Sequence, residues 1–193
     1  DFWKEGNNNK IFMCHGKDNI VFHSIILNAL LLGQEENYHL VDTIVSAEYL
    51  NFNDQKFSKS KGIGMTALEA LDLYNSDSLR YHLLSNGPEK KDTNFTIEDF
   101  ENTHNGEILN KFGNLVNRTV SMNKKYFDAV VQEHNVVEDL DKDLIDSVLD
   151  LGNKVTAKMD ELKVGEALQE IFDVLRKCNK YIDDTMPWAL AKD

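Results

Sequence analysis

Residues 10–33 read KIFMCHGKDNIVFHSIILNALLLG, and this stretch decides the fold. Its first five residues are apolar enough for a short buried strand, and residues 15–19 form a polar turn. Over residues 20–32 the apolar spacing predicts a helix, which Gly33 ends. Residues 40–46 return to strand character. The order strand, loop, helix and strand indicates a βαβ unit and therefore a parallel sheet.

The carboxyl end of the first predicted strand is the candidate ligand site, because ligands of parallel sheets bind at that edge. Gly16, Lys17 and Asp18 fall there. Asp18 could accept hydrogen bonds from the hydroxyls of a ribose; alternatively, Asp18 or Asn19 caps the helix. His23, further along the same helix, either lines a pocket or has a structural role.

A second informative stretch, residues 51–64, reads NFNDQKFSKSKGIG. Lys56, Lys59 and Lys61 lie close together in it. Three ammonium groups on flexible stems suit a loop that follows a moving anionic charge. Serine hydroxyls and glycine N–H groups add donors for phosphate oxygens. The alternative is a solvated surface loop that carries a few lysines.

Residues 56–60, KFSKS, resemble the KMSKS signature of class I aminoacyl-tRNA synthetases, with Phe57 where methionine often stands. Residues 16–23, GKDNIVFH, resemble the G-K-D-N-x-x-F-H segment of methionyl-tRNA synthetases. EYLN at 48–51 and GIG at 62–64 fit the same family. The EYLN and KF forms are similar to those of the archaeal and eukaryotic cytosolic branch.

This resemblance implies that methionine and ATP react to methionyl-adenylate and pyrophosphate, and that the methionine is then transferred to tRNA(Met). Lys56 and Lys59 are the implied catalytic residues, which stabilise the negative charge that builds on the leaving pyrophosphate. The implied ATP-binding residues are Gly16, Asp18, Lys56, Ser58 and Lys59, and the implied methionine-binding residues are Phe22 and His23. Mg²⁺ is expected with ATP, and no zinc site is expected in this chain.

A long helix is predicted from Thr96, as its cap, to about residue 127. Asn110, Asn114 and Arg118 recur in it at four-residue spacing and therefore share one face. Two amides and a guanidinium suit the base edges of an unpaired RNA loop, although an ordinary solvated face has the same pattern. The resemblance implies that these three residues bind the anticodon together with Trp188. The alternative for Trp188 is a half-buried aromatic of a helical bundle.

The expected fold class is a Rossmann-type α/β remnant with a parallel sheet, followed by an all-α anticodon-binding helical bundle, and mostly helical overall. The resemblance divides the chain into the C-terminal part of a catalytic domain (1–49), a connective region with the KMSKS-like loop (50–105) and the bundle (106–193). The family's other ATP signature, HIGH, does not occur in this sequence. We therefore expect a missing N-terminal catalytic half and a chain that is inactive alone. The alternatives are a non-catalytic tRNA-binding module and another class I synthetase.

The net charge of −12 disfavours binding of nucleic acid by the chain as a whole. Residues 106–127 are the exception, because they contain four cationic side chains and one acidic side chain, Glu107. Cys14 and Cys178 have no metal-ligand spacing and predict buried, reduced thiols. The longest apolar run is too short to cross a bilayer, and no signal peptide is visible. These features predict a reducing compartment and a local patch as the place where any polyanion would bind. The resemblance implies that the polyanion is tRNA and that the protein is cytoplasmic.

Overall fold

The computed structural model describes residues 2–6, 8–133 and 138–191. The chain divides into two compact units. The first is built from residues 1–64 and 87–95, and the second from residues 65–86 and 96–193. The three regions predicted from the sequence are defined by their functional roles and not by their compactness, so that division stays a prediction.

A pair of parallel strands opens the first unit. β1, Phe12–Gly16, pairs in parallel with β2, Thr43–Ala47. Between them a 3₁₀ turn, Lys17–Asn19, leads into a helix that is π-helical over Phe22–Ile26 and continues as α1, Leu27–Leu32. The predicted βαβ unit and its parallel sheet are confirmed. Both strands begin two or three residues later than their apolar runs indicate.

A second sheet of the first unit is not predicted by the sequence. β3, Leu50–Phe52, pairs antiparallel with β4, Gln55–Lys56, and parallel with β5, Thr93–Phe95. The composition of residues 89–95 predicts a polar loop, and this prediction is wrong for residues 93–95, which form β5. The reason is tertiary, because a strand of three residues forms only through the hydrogen bonds of a partner that is distant in sequence.

The described part of the second unit is helical. Its helices are α2 (Ala67–Leu73), α3 (Ser76–Ser85), α4 (Ile97–Thr103), a π-helical segment (His104–Gly113), α5 (Asn114–Phe127), α6 (Asp139–Asp160), α7 (Val164–Thr185) and α8 (Pro187–Leu190). The long helix predicted to end near residue 127 is confirmed, and so is a mostly helical chain. Wherever the structure is described, a helix is either too short or too polar to cross a membrane.

Helix caps explain where two of these helices begin. Thr66 and Glu69 form the capping box of α2, in which the Glu69 N–H donates to the Thr66 hydroxyl at 3.3 Å. The cap of α3 is Asn75 and not Ser76, which the sequence favours. The Asn75 side-chain oxygen accepts hydrogen bonds from the N–H groups of Asp77 and Ser78 at 2.9 and 3.4 Å. Asparagine and serine cap equally well, so local sequence does not distinguish them.

The core of the second unit lies where α3, α4 and α7 meet. The Phe100 ring packs edge-on against Tyr74 with the ring centroids 4.8 Å apart. The Phe172 ring lies 4.7 Å from Tyr81, whose pKa burial raises to about 12. The buried apolar side chains of this unit are Leu79, Phe100, Ala167, Phe172 and Ile182. Their burial is what holds the helices together.

Three expectations about exposure are wrong. Cys14 is exposed on β1, whereas Cys178 is partly buried and has its pKa raised by that burial. Helical spacing places Phe112 and Val116 opposite the polar face of the long helix and predicts that they pack inward, but both are about half exposed.

His82 makes the stability of the second unit pH-dependent. Only 4% of this residue is exposed, its Nδ1 lies 3.0 Å from the Thr103 hydroxyl, and burial lowers its pKa. The unfolded chain takes up a proton near pH 6.5 and the folded chain resists it, so stability is lost as pH falls below about 6.5. Urea unfolding at pH 7.5 and pH 5 measures this loss. We expect a smaller loss for His82→Gln, and an equal loss in both proteins would contradict the assignment.

Candidate functional site

Gly16, in the turn after β1, leaves the space that the Asp18 side chain occupies. A Cβ atom on Gly16 would lie 2.7 Å from Asp18 Oδ1, which is closer than real Cβ contacts allow. The Asp18 carboxylate therefore folds back beside the backbone at the carboxyl end of the strand, and its residue is exposed. Gly16 caps the 3₁₀ turn without a side-chain hydrogen bond. Within the described ranges neither Asp18 nor Asn19 makes a capping hydrogen bond, and no described residue donates a hydrogen bond to the Asp18 carboxylate.

His23 lies behind this turn and stacks on His15. The two rings are 4.8 Å apart with planes inclined by 22°. His15 Nδ1 lies 2.9 Å from the Gly16 carbonyl oxygen and must be the donor, because a carbonyl only accepts. His15 Nε2 and His23 Nδ1 are buried and have no hydrogen-bond partner among the described residues. Phe22, by contrast, is 57% exposed.

The lysine-rich stretch, residues 56–64, is a closed loop. Ser58 and Ile63 exchange two backbone hydrogen bonds, each 2.9 Å long. The segment Lys59–Lys61 between them forms one 3₁₀ turn, and Gly62 follows it with a φ of +63°. We call residues 56–64 the lysine loop. The hydrogen bonds between Ser58 and Ile63 place Lys59, Lys61 and the Ser58 and Ser60 hydroxyls on one small turn, and Lys56 precedes this turn at the end of β4.

The ammonium groups of the lysine loop are available to an anion. Lys56, Lys59 and Lys61 are exposed. Within residues 2–6, 8–133 and 138–191 no carboxylate forms an ion pair with any of them. Lys56 Nζ lies 5.3 Å from the centre of the Tyr49 ring, a cation–π distance. The loop therefore combines fixed ends with cations that are free to meet phosphate.

Phe57 anchors the loop, and Gly64 makes room for it. The Phe57 ring lies 5.7 Å from Phe52, which in turn lies 6.1 Å from buried Phe95. A Cβ atom on Gly64 would come within 2.3 Å of Phe57 Cδ1, and its φ of +121° disfavours any side chain. The aromatic residue at position 57 thus ties the loop to the three-stranded sheet.

Gly64→Ala should loosen the lysine loop. The new methyl group displaces the Phe57 ring, and the strained φ costs roughly 1–3 kcal/mol. We expect trypsin to cut after Lys59 and Lys61 several times faster than in the unchanged protein. Gly62→Ala is the matched control, since Gly62 also has positive φ but no atom lies within 4 Å of its Cβ position. Equal cleavage of the two variants would show that Phe57 does not anchor the loop.

A cleft in the second unit gathers the polar face of the long helix. It has a volume of about 330 Å³ and opens to solvent. Asn110, Asn114 and Arg118, which the sequence places on one face, all line it. The remaining lining residues are Lys111, Arg176, Asn179, Lys180 and Asp183. The prediction that the first three side chains share one face is confirmed.

Charges in this cleft are partly compensated. Arg118 Nη2 lies 2.6 Å from Asp183 Oδ1, and Lys111 Nζ lies 2.5 Å from Glu107 Oε1. In the described ranges Lys180 has no carboxylate partner. Arg176 pairs with Asp173 and Glu107, so the four lining cations meet three carboxylates in the described ranges. The cleft therefore keeps one excess positive charge on an acidic protein. Such a local site is what a polyanion would meet.

Trp188 belongs to the same neighbourhood. The Arg118 guanidinium lies over its indole ring at 5.6 Å. Pro187 starts α8, and Trp188 is 37% exposed, so one part of the ring packs while another remains accessible. The sequence places Trp188 seventy residues from Arg118, and the fold of α7 back onto α5 joins them. The structure therefore brings together all four predicted RNA-facing residues.

The α7 side of the cleft is missed by sequence reasoning. Arg176, Asn179, Lys180 and Asp183 recur at three- and four-residue spacing, which is the signal that could have found them. Asn179 Nδ2 donates to the carbonyl oxygen of Lys111 at 3.0 Å and so joins α7 to the π-helical segment. Its Oδ1 is buried and has no partner in the described part of the chain.

The predicted nucleotide and methionine residues all lie in the first unit, and the predicted RNA residues lie in the second. Tyr49 links two parts of the first group, because Lys17 Nζ lies 4.4 Å and Lys56 Nζ 5.3 Å from its ring. Among described residues, no hydrogen bond or ion pair joins Asp18 to the lysine loop. Nor do three His, Cys, Asp or Glu side chains in those ranges gather into a group that could hold a metal ion.

Fold and lysine loop together define the class of protein, a class I aminoacyl-tRNA synthetase. The family model described as "tRNA synthetases class I (M)" matches residues 1–120. The chain belongs to this family, the methionyl-tRNA synthetases.

Curated relatives named methionine–tRNA ligase match the whole chain. The protein of Bacillus mycoides is 41% identical over 194 residues, which are 100% of this chain and 34% of that relative. The protein of Saccharolobus solfataricus is 38% identical over 98% of this chain and 34% of its own length. The chain thus spans about a third of the relatives that it matches.

Solved structures show the same fold. Mycobacterium tuberculosis methionyl-tRNA synthetase bound by methionyl-adenylate is 27% identical, with a TM-score of 0.85 over 95% of this chain and 35% of that one. A second structure of that enzyme in complex with methionyl-adenylate gives 28% identity and a TM-score of 0.87 over 94% of this chain and 35% of the other.

Proposed function

We propose that this chain is part of a methionine–tRNA ligase, to which it contributes the lysine loop and an anticodon-binding bundle. The observation that carries the proposal is the lysine loop, whose three exposed ammonium groups lack carboxylate partners in the described residues. They lie in the same unit as the glycine turn at the carboxyl end of β1. Methionine–tRNA ligases similar over the whole chain support methionine as the amino acid.

In the proposed activation step, the methionine carboxylate attacks the α-phosphorus of ATP in line, and pyrophosphate leaves. Lys59 and Lys56 stabilise the charge that develops on the leaving group. A cation lowers the barrier only if it stabilises the transition state more than the bound substrates. A mobile lysine loop meets this condition because its cations can approach the pyrophosphate as the charge develops. Ser58 adds a hydroxyl donor to the phosphates. Mg²⁺ enters with ATP as part of the substrate.

The turn after β1 binds the other parts of the reactants in this proposal. Asp18 accepts hydrogen bonds from the ribose hydroxyls, and Gly16 leaves the space that the carboxylate occupies. His23 and Phe22 contact the methionine side. The unpartnered Nδ1 of His23 supports this assignment, since a buried polar atom without a partner costs stability unless a ligand satisfies it.

In the second step the cleft reads the anticodon. Asn110 and Asn114 offer amide donors and acceptors to base edges, Arg118 offers a planar fork, and Trp188 offers a stacking surface. Lys180 supplies a cation for the backbone phosphates. Asn110, Asn114 and Arg118 line one cleft, and the Trp188 ring lies beside Arg118. This arrangement supports the proposal, because an ordinary solvated face has no reason to form a concave site next to an aromatic ring.

The catalytic domain needs more than this chain. Val21, Ile25 and Leu30 are 53%, 63% and 61% exposed on the helix between β1 and β2. Apolar patches of this kind mark surfaces that another part of a protein covers. We assign this surface to the N-terminal catalytic half, which carries the HIGH signature, and expect the isolated chain to be inactive. A cytoplasmic location fits this function and is part of the proposal.

Amino-acid-dependent ATP–pyrophosphate exchange tests the function. The full-length protein that contains this chain should exchange with methionine and should not with leucine or isoleucine. The isolated chain should show none with any of them. Preference for leucine or isoleucine would indicate another class I synthetase. Absence of exchange in the full-length protein, together with tRNA binding, would indicate a non-catalytic tRNA-binding module.

A further inference from the structure

Lys17 is held by acidic partners from distant parts of the first unit. Its Nζ forms ion pairs with Glu48 and, at 2.9 Å, with Asp92 Oδ1. The same ammonium group lies 4.4 Å from the centre of the Tyr49 ring. Lys17 follows β1, Glu48 follows β2, and Asp92 precedes β5. One side chain thus joins the ends of three strands.

Asp92 fixes the backbone as well as the ammonium group. Its Oδ1 also accepts the Tyr49 N–H at 2.9 Å, and the Thr93 N–H donates to the Tyr49 carbonyl at 2.9 Å. The bond from Tyr49 and the ion pair with Lys17 lower the pKa of Asp92, while the Glu48 and Asp92 bonds raise that of Lys17. Lys17 and Asp92 therefore both remain charged across the neutral range.

Tyr49 lies between this cluster and the lysine loop. Its ring is 4.4 Å from Lys17 Nζ and 5.3 Å from Lys56 Nζ. Of these two lysines, only Lys17 forms ion pairs in the described residues, and its partners are Glu48 and Asp92. The cluster of Lys17, Glu48 and Asp92 has one excess negative charge, which favours the placement of Lys56 on the same ring.

We propose that Lys17 is a positioning residue, which ties the Gly16–Asp18 turn to Tyr49 and the lysine loop and does not bind phosphate. This inference rests on the proposed function. A phosphate ligand at Lys17 would have to displace two carboxylates and would then lie beside both of them. By contrast, a fixed ammonium group holds the ribose-facing turn and Tyr49, against whose ring Lys56 lies, at a constant separation. A small displacement of either group slows the reaction.

A double-mutant cycle distinguishes positioning from phosphate binding. In the full-length protein, Lys17→Met and Asp92→Asn should each reduce kcat of methionine-dependent exchange roughly tenfold. KM for methionine should change little. The double variant should be no slower than either single variant, because both remove the same contact. Lys17→Arg should recover most of the rate. Asp92→Asn is isosteric, so it decides the question even if Lys17→Met fails to fold.

Lys91→Met is the matched control, since it removes an equal charge next to Asp92 from a residue without a partner in the described chain. It should leave kcat unchanged. If Lys17 binds phosphate, Asp92→Asn frees it, and exchange would stay equal or become faster while Lys17→Met raises KM for ATP. Additive losses in the double variant would also overturn the inference. Normal exchange in all variants would refute the positioning role of Lys17 but not the proposed function. Absence of methionine-dependent exchange in the unmutated full-length protein would refute the proposed function.

Discussion

Lys59→Ala is expected to slow methionyl-adenylate formation by the full-length protein by roughly 10²–10³-fold, with KM for methionine nearly unchanged. Lys59 opens the 3₁₀ turn of the lysine loop and is exposed without a carboxylate partner in the described ranges. A preorganised cation that approaches the leaving pyrophosphate stabilises the transition state more than the bound substrates. The loss should therefore appear in kcat, as measured by pre-steady-state adenylate formation.

Lys61→Ala provides the comparison within the same loop. Lys61 has the same charge and exposure and ends the same turn, but it lies outside the residues assigned to catalysis. We expect its loss to be under about tenfold, the size of a peripheral charge effect. An activation rate for Lys59→Ala equal to that of the unchanged protein would remove Lys59 from the mechanism.

Trp188→Ala and Asn114→Ala are expected to weaken aminoacylation of tRNA(Met) while adenylate formation is spared. Loss of stacking on one base costs roughly 1–3 kcal/mol, or about 5- to 150-fold in kcat/KM for tRNA. Truncation of Trp188 also removes the ring under the Arg118 guanidinium, which lies 5.6 Å away. Both reactions should be measured on the same enzyme preparations.

Trp188→Phe is the conservative variant, because phenylalanine keeps a stacking surface. It should retain most of the tRNA affinity that Trp188→Ala loses. An Asn153→Ala variant on α6 controls for the removal of an exposed amide away from the cleft, and it should change neither reaction. Equal losses of adenylate formation and aminoacylation in Trp188→Ala would assign this residue to structure and not to RNA.

The elements that follow from local periodicity are predictable here. The βαβ unit and the long helix are read from apolar spacing because each segment carries its own pattern over ten or more residues. β5 has no such pattern. It has three residues and exists because Leu50–Phe52 offers it a parallel partner about forty residues away. Short strands of this kind depend on tertiary pairing and not on composition.

The candidate sites likewise contain features that the sequence predicts and contacts that it does not. Asn110, Asn114 and Arg118 follow from spacing on one helix. The side of α7 that faces them does not, because sequence periodicity gives the faces of a helix and not the neighbour that each face meets. The ion pair between Lys17 and Asp92 is harder still to predict, because Asp92 lies 75 residues away in a stretch whose composition indicates only a polar loop. Contacts between segments therefore account for most of what the sequence leaves open.

Aminoacylation by the full-length protein tests the central claim most directly. Two tRNA(Met) transcripts should be compared with methionine as substrate, one with its own anticodon and one with that anticodon replaced. The account predicts methionyl-tRNA from the first transcript, a loss of at least tenfold with the second, and the same adenylate formation in both reactions. Equal charging of the two transcripts, or no methionyl-tRNA from either, would contradict it.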